Sequence, residues 1–305
     1  PTRRSSDLKQ VRANLLLLLT AMIWGAAFVA QSASMDYVGP FTFLCSRSIL
    51  GGVVLLPVIA VMGKGKKKKE ETRPGNRNIL LLGGICCGVM LFIGSALQQI
   101  GIQYTTAGKA GFITAMYMVL VPICGLFFGR KPGGKTWAAV VVALVGMYLL
   151  CLYGSGIQNL SKGDLLEMLC ALGFTGHILV VDHFSPKVDG VKMSCIQFFV
   201  CGILAGIFML ILEKPSWENI CAAAVPILYA GILSSGAGYT LQIVAQKDTQ
   251  PTVASLLMSL ESVFSLIFGW ILLKEAMSGV ELLGCVLMFA AIIWVQLPEK
   301  QKKIA

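Results

Sequence analysis

Ten apolar stretches of about twenty residues each run through this 305-residue chain, and they constrain its fold more than any other feature. A bilayer's hydrocarbon core of about 30 Å takes about 20 residues of α-helix to cross. The stretches lie at roughly 12–31, 39–62, 78–98, 107–129, 136–153, 163–181, 191–212, 220–243, 250–272 and 279–297. The links between them are short and carry turn or cap residues, as in DYVGP, RKPGGK, YGSG and EKPSWEN. Membrane-barrel strands alternate apolar and polar residues over short segments, whereas these runs are long and uniform. Composition agrees: 56% of residues are hydrophobic and 13% charged, against about 25% charged in an average soluble domain. A single soluble core of this length has no room for so much apolar surface. The expected fold class is an all-α polytopic membrane protein with ten transmembrane helices.

The net charge of +10 then reads as topology and not as a nucleic-acid face. With ten spans both termini share one side. That side holds twenty of the 25 Lys and Arg residues, including the run Lys66-Lys67-Lys68-Lys69; the other side holds three, and Arg47 and Lys109 sit within spans. Basic loops stay cytoplasmic. The expectation is a multi-pass protein of a bacterial inner (plasma) membrane with both termini in the cytoplasm, its lysine run near anionic lipid headgroups. No cleavable signal peptide is expected, and the leader PTRRSSDL resembles translated sequencing-adapter sequence, so residues 1–11 are assigned no function.

Five spans and five spans invite a search for duplication. QYTTAGKAGFITAMYMVLVPICGLFFGRKPGGKTW parallels QKDTQPTVASLLMSLESVFSLIFGWILLKEAMSGV at an offset of 143, aligning Gln103 with Gln246 and Thr106 with Thr249. The expected organisation is a first five-helix repeat at 12–153, a second at 163–297 and a cytoplasmic tail at 298–305. An odd number of helices per repeat turns the second copy upside down relative to the first. That is the architecture of alternating-access carriers.

The ten cysteines lie mostly inside apolar runs without metal-ligand spacing, so they read as small packing residues; no metal or cofactor is expected. No Walker pattern, HExxH or nucleophile triad is present. A membrane enzyme would bring acids or a metal cluster together, whereas the charges here fall at unrelated depths. A channel would need a selectivity path. A non-transporting membrane scaffold stays open on residues alone.

Four segments carry a family resemblance: AMIWGAAFVAQ at Ala21–Gln31, TFLCSRSILGGVVLLP at Thr42–Pro57, GIQYTTAGKAGFITAMYMVLVPICGLFF at Gly101–Phe128, and TVASLLMSLESVFSLIFGWILLKEAMSGVELLG at Thr252–Gly284. In their order and spacing the chain resembles the EamA-type family of the drug/metabolite transporter superfamily, over about residues 12–297. The resemblance implies two inverted five-helix bundles and carriage of small organic solutes, often as an exporter of amino acids or related metabolites. The family usually shows Glu-Pro where this chain has Glu261-Ser262, which leaves the bend of span nine open.

Charges inside hydrocarbon are costly and mark function by default. Arg47 lies roughly 12 Å into span two at 1.5 Å per residue. It either meets a substrate carboxylate or gates, or it bonds to backbone carbonyls or to Glu261. Glu261, mid-span, is a proton site, a partner for a cation, or a structural acid. Lys109 either snorkels to the headgroups or contacts substrate at a gate. His177, the histidine within a span, is a packing residue or a proton relay. Trp24 and Tyr117, in the family-like motifs of spans one and four, are candidate cavity walls beside amides such as Gln98 and Gln242. The expected partners are a small organic solute, membrane lipids and protons, with the monomer as the transport unit. Gly84-xxx-Gly88 and Gly202-xxx-Gly206 predict close helix approach, and Pro57, Pro122 and Pro226 predict bends.

Overall fold

The structure, a computed structural model, describes residues 3–65, 74–105, 107–151, 161–273 and 278–296. All regular structure among them is helical. In chain order the elements are α1 (Arg3–Ser34), α2 (Pro40–Gly65), α3 (Pro74–Gly101), α4 (Ala107–Thr114), α5 (Tyr117–Phe127), α6 (Gly134–Cys151), α7 (Lys162–Phe184), α8 (Gly190–Leu212), α9 (Trp217–Ala222) and α10 (Ala224–Leu228). A π-helix (Tyr229–Tyr239), α11 (Thr240–Gln246), α12 (Pro251–Met258), α13 (Glu261–Leu273) and α14 (Gly279–Gln296) complete the chain. The lysine run Lys66–Lys69 and the tail from residue 297 lie outside the described residues.

Among the described residues, eight helical segments are long and apolar enough to cross a membrane: Leu8–Ser34, Pro40–Met62, Arg77–Gly101, Ala110–Phe127, Lys162–Phe184, Gly190–Leu212, Ala224–Gln246 and Pro251–Phe268. Spans five and ten of the sequence analysis fall on two shorter apolar helices, Gly134–Leu149 and Leu282–Val295, which pack against each other. The chain is therefore an all-α polytopic membrane protein: among the described residues eight segments have the length and hydropathy of a crossing, and α6 and α14 occupy the two remaining places.

The two halves repeat each other in detail. The links after α1 and α7 trace the same turn, at 35–39 and 185–189. The fourth and ninth spans are both broken after an eight-residue helix, α4 and α12, by turns at 115–116 and 259–260. Equivalent elements pair across the halves, α2 with α8 and α6 with α14, while the packing of α3 on α7 is matched by that of the π-helix and its flanks on α1. Neither break falls at a proline. Pro122 sits inside continuous α5 and Pro57 inside continuous α2. Span nine breaks immediately before Glu261 although Ser262 replaces the expected proline. Pro226 lies in α10, and the backbone departs from α-geometry at Tyr229 by widening into the π-helix, not by an open kink.

Small residues set the closest approaches. A Cβ on Gly84 would lie 2.5 Å from Ile196, one on Gly88 2.6 Å from Val200, and one on Gly202 2.7 Å from Ile49. Helix α8 is thereby clasped between α3 and α2 by the two glycine pairs, as van der Waals packing without side-chain spacers allows. Local chemistry starts the second-half helices. Ser161 and Asp164 form a capping box at α7, and the Asp189 side chain accepts from Val191 and Lys192 N–H at α8. At the far end of α8, the Glu213 carboxylate accepts from the N–H groups of Phe41 and Thr42 at 2.8 Å each and from Thr42 Oγ1 at 2.6 Å. An anion on the open N–H groups of α2 ties the halves together at that face.

Candidate functional site

Where the halves meet, side chains from α1, α2, α3, α4, α5, α7, the π-helix, α11 and α13 line a narrow cavity. Arg47, Trp24, Tyr117, Glu261 and His177 all line it, as do Gln98, Gln242 and Tyr239. Lys109 belongs to α4, but its side chain lies outside the described residues.

The two span breaks meet at this cavity. Tyr117 is the first residue of α5 and Glu261 the first of α13, so they hold corresponding places after the two turns. The Tyr117 hydroxyl donates to Glu261 Oε1 at 2.9 Å, and Glu261 is only 4% exposed. The turns keep most of their backbone paired: Met118 and Val119 N–H donate to Ala115 and Met116 O across the first, and Ser262 and Phe264 N–H to Ser259 and Leu260 O across the second, so each break redirects the helix without exposing a row of open donors.

Arg47 is 3% exposed. Its Nη2 donates to Ser95 Oγ at 3.1 Å, and its guanidinium carbon lies 5.8 Å from the centre of the Phe43 ring. No ion pair joins it to Glu261, whose carboxyl is engaged by Tyr117, and Arg47 Nε has no hydrogen-bond partner. A buried guanidinium with one serine bond is far from satisfied, since it carries five N–H donors and a full charge.

Aromatic rings form the wall facing these charges. Trp24 packs on Tyr239 with centroids 4.5 Å apart, and Tyr239 takes His177 and Phe198 at its edges, each at 5.7 Å. The π-helix explains how α1 holds this position. Its wide turns present carbonyls to side chains: Ser234 O accepts from Trp24 Nε1 and Gly238 O from Thr20 Oγ1, both at 3.3 Å, while Tyr229 donates back to Ile23 O at 3.0 Å. His177 bonds Gln197 Oε1 through Nε2 at 3.0 Å, so it is both a packed residue and a wall of the cavity.

One acid escaped the sequence analysis. Glu167 on α7 is fully buried, and its Oε2 accepts from Thr114 Oγ1 at 2.9 Å. Thr114 in turn accepts from Gln98 Nε2 at 3.3 Å, and both line the cavity. Glu167 Oε1 faces Gly101, whose missing side chain makes its space, and has no hydrogen-bond partner. The signal was present in KGDLLEMLCALGF: Glu167 follows Asp164 by three residues, so it falls near one face of the helix with that capping acid and belongs to the same buried start of α7.

The arrangement brings together aromatic walls, amides and one cation whose Nε is unpaired, with two buried acids nearby. Among the described residues no group of three His, Cys, Asp or Glu side chains forms a metal site.

Comparison with known proteins matches the model of the EamA-like transporter family to residues 11–152 and 161–297. An uncharacterized transporter of Archaeoglobus fulgidus is 30% identical over 294 residues, 96% of this chain and 88% of that protein. The uncharacterized transporter YoaV of Bacillus subtilis is 23% identical, covering 96% of this chain and all (100%) of that one. A WAT1-related chloroplastic protein of Arabidopsis thaliana is also 23% identical, over 93% of this chain and 69% of its own length. A solved crystal structure superimposes with a TM-score of 0.76 at 16% identity, covering 93% of this chain and 96% of the other, a likeness of fold alone.

Proposed function

The chain belongs to the EamA-like transporter family, and from that membership we propose that it is a secondary exporter of small carboxylate-bearing metabolites, amino acids first among them, working by alternating access through the central cavity. It is a multi-pass membrane transporter and not an enzyme. The observation that carries the finer reading is Arg47, a buried guanidinium whose Nε lacks a partner, set in the cavity where the two span breaks meet. A solute carboxylate pairs with that cation, and the Trp24, Tyr239 and Tyr117 rings hold the solute's apolar part.

Two inverted halves make the exchange of access natural. Each half closes over the cavity from its own side, with the repeats at 12–153 and 163–297 as the moving units and a monomer as the complete carrier. Both termini lie in the cytoplasm of a bacterial inner membrane, which the twenty basic residues on that side support. Export is the direction that the family resemblance implies. Glu261, held by Tyr117, and His177 are the proton-coupling residues; Lys109 contacts solute or gates near the start of the broken fourth span.

The experiment is a metabolite panel offered to proteoliposomes with and without an imposed pH gradient. Saturable flux of at least one carboxylate-bearing metabolite, driven further by the gradient, is expected. No flux of any solute marks a non-transporting scaffold. Flux indifferent to the gradient removes the proton from the mechanism and leaves carriage standing.

A further inference from the structure

At the membrane boundary where α5 and α7 end, remote in role from the central cavity, the surface carries an open groove. Its floor is Leu179, Val180 and Phe184 from the last turns of α7, and its side is Phe128 and Arg130 from the link after α5. Phe127 and Phe128 stand 86% and 73% exposed. Both membrane-crossing segments that border the groove stop here, at Phe127 and Phe184. The groove thus runs from hydrocarbon into the headgroup layer.

Its rim is basic. Arg130, 44% exposed, pairs with Asp182. Lys187 extends back over the end of α7, its Nζ 2.7 Å from His183 Nε2 and 5.7 Å from the centre of the Phe184 ring. Lys131 follows Arg130 and is exposed. Arg130 lines the groove and Lys187 stands on its His183 and Phe184, two cations against the one Asp182 carboxylate, with Lys131 next in sequence to Arg130.

A groove open to the bilayer is filled by lipid, and an apolar floor below a net-positive rim discriminates by headgroup charge. We propose that this groove is a binding site for an anionic phospholipid, its phosphate between Lys187 and Arg130 and one acyl chain along Phe128, Leu179 and Val180. A zwitterionic lipid fills the same floor but brings no net charge to the rim. The inference rests on membrane embedding and basic residues alone, and stands whatever solute the central cavity takes.

Native mass spectrometry of the purified full chain, taken from vesicles of equal phosphatidylglycerol and phosphatidylcholine, tests it. Wild type is expected to retain phosphatidylglycerol preferentially. Lys187→Gln should lose roughly fivefold of that preference, the scale of one cation at a membrane surface, and Arg130→Gln should also weaken it. Lys187 is on a surface link, so its variant folds even if loss of the Arg130–Asp182 pair destabilises the other. Lys214→Gln, at the opposite boundary, should change nothing. Equal retention of both lipids, or a loss with Lys214→Gln as large as with Lys187→Gln, overturns the proposal. So does displacement of the retained lipid by a transported solute, which would make the groove a vestibule.

Discussion

Gly25 is the tightest joint beside the cavity, and substituting it separates packing from helix propensity. A Cβ there lies 2.4 Å from Phe264 Cβ and 2.8 Å from two backbone atoms, Phe264 C and Ser265 N. Ordinary carbon contacts are about 3.5–4.0 Å, and backbone cannot rotate out of the way. Gly25→Ala therefore forces α1 and α13 apart by roughly 1 Å. Overpacking costs about 1–3 kcal/mol, and the rigid neighbours place this site at the upper end. The gain in helix propensity from Gly to Ala is about 1 kcal/mol, which leaves a net loss of about 2 kcal/mol, roughly thirtyfold in the folding constant. Gly111, on α4 in the same cluster, supplies the control: its nearest contacts are 3.8 Å away, so Gly111→Ala fits and keeps the propensity gain. Unfolding both variants in mixed micelles by titration with sodium dodecyl sulfate should give opposite signs. Gly25→Ala should also lower flux, because Trp24 adjoins Gly25 and Glu261 opens the helix that is pushed away. A Gly25→Ala protein as stable as wild type, or a Gly111→Ala protein equally damaged, refutes the reasoning.

Tyr117→Phe removes the donor to Glu261 Oε1 and should cost about 1–3 kcal/mol, the penalty of a buried polar atom left alone; unchanged unfolding in the same titration counts against that bond. Glu213→Ala frees the Phe41 and Thr42 N–H groups, but water reaches this half-buried site, so a smaller loss of about 1 kcal/mol is expected. Reporter tags inserted after Lys69 and at the tail should both report the cytoplasmic face, and signals from opposite faces would break the proposed orientation.

Much of the fold was legible because hydrocarbon imposes a length on every helix. The starts of α2, α7 and α8 fall within a few residues of their predicted places, marked by Pro40, Ser161 and Asp189. The glycine pairs on α3 and α8 announced their own close contacts. What stayed hidden was backbone irregularity. Nothing in Ala115-Met116 or Ser259-Leu260 distinguishes a turn from a continuing helix, since both sit in apolar runs and neither contains Gly or Pro. The π-helix differs: YAGILSSGAGY carries Gly231, Gly236 and Gly238, yet nothing in it says that the backbone widens and does not kink. Arg47, Glu261 and His177 stood out because each interrupts hydrocarbon. Glu167 did not, because it sits near a helix start where acids are ordinary. That Tyr117 and Glu261 hold equivalent places in the two halves became visible only once the breaks were seen.

Solute flux through Arg47→Gln proteoliposomes tests the central claim most directly. Glutamine removes the charge and keeps a polar amide in the cavity while giving up the Nη2–Ser95 bond, so stability should fall by no more than about 1 kcal/mol. Flux of carboxylate-bearing metabolites should fall about 30-fold or more, the scale of losing one partner of a buried charge pair. A stable Arg47→Gln protein that carries the same metabolites at the wild-type rate would contradict the account.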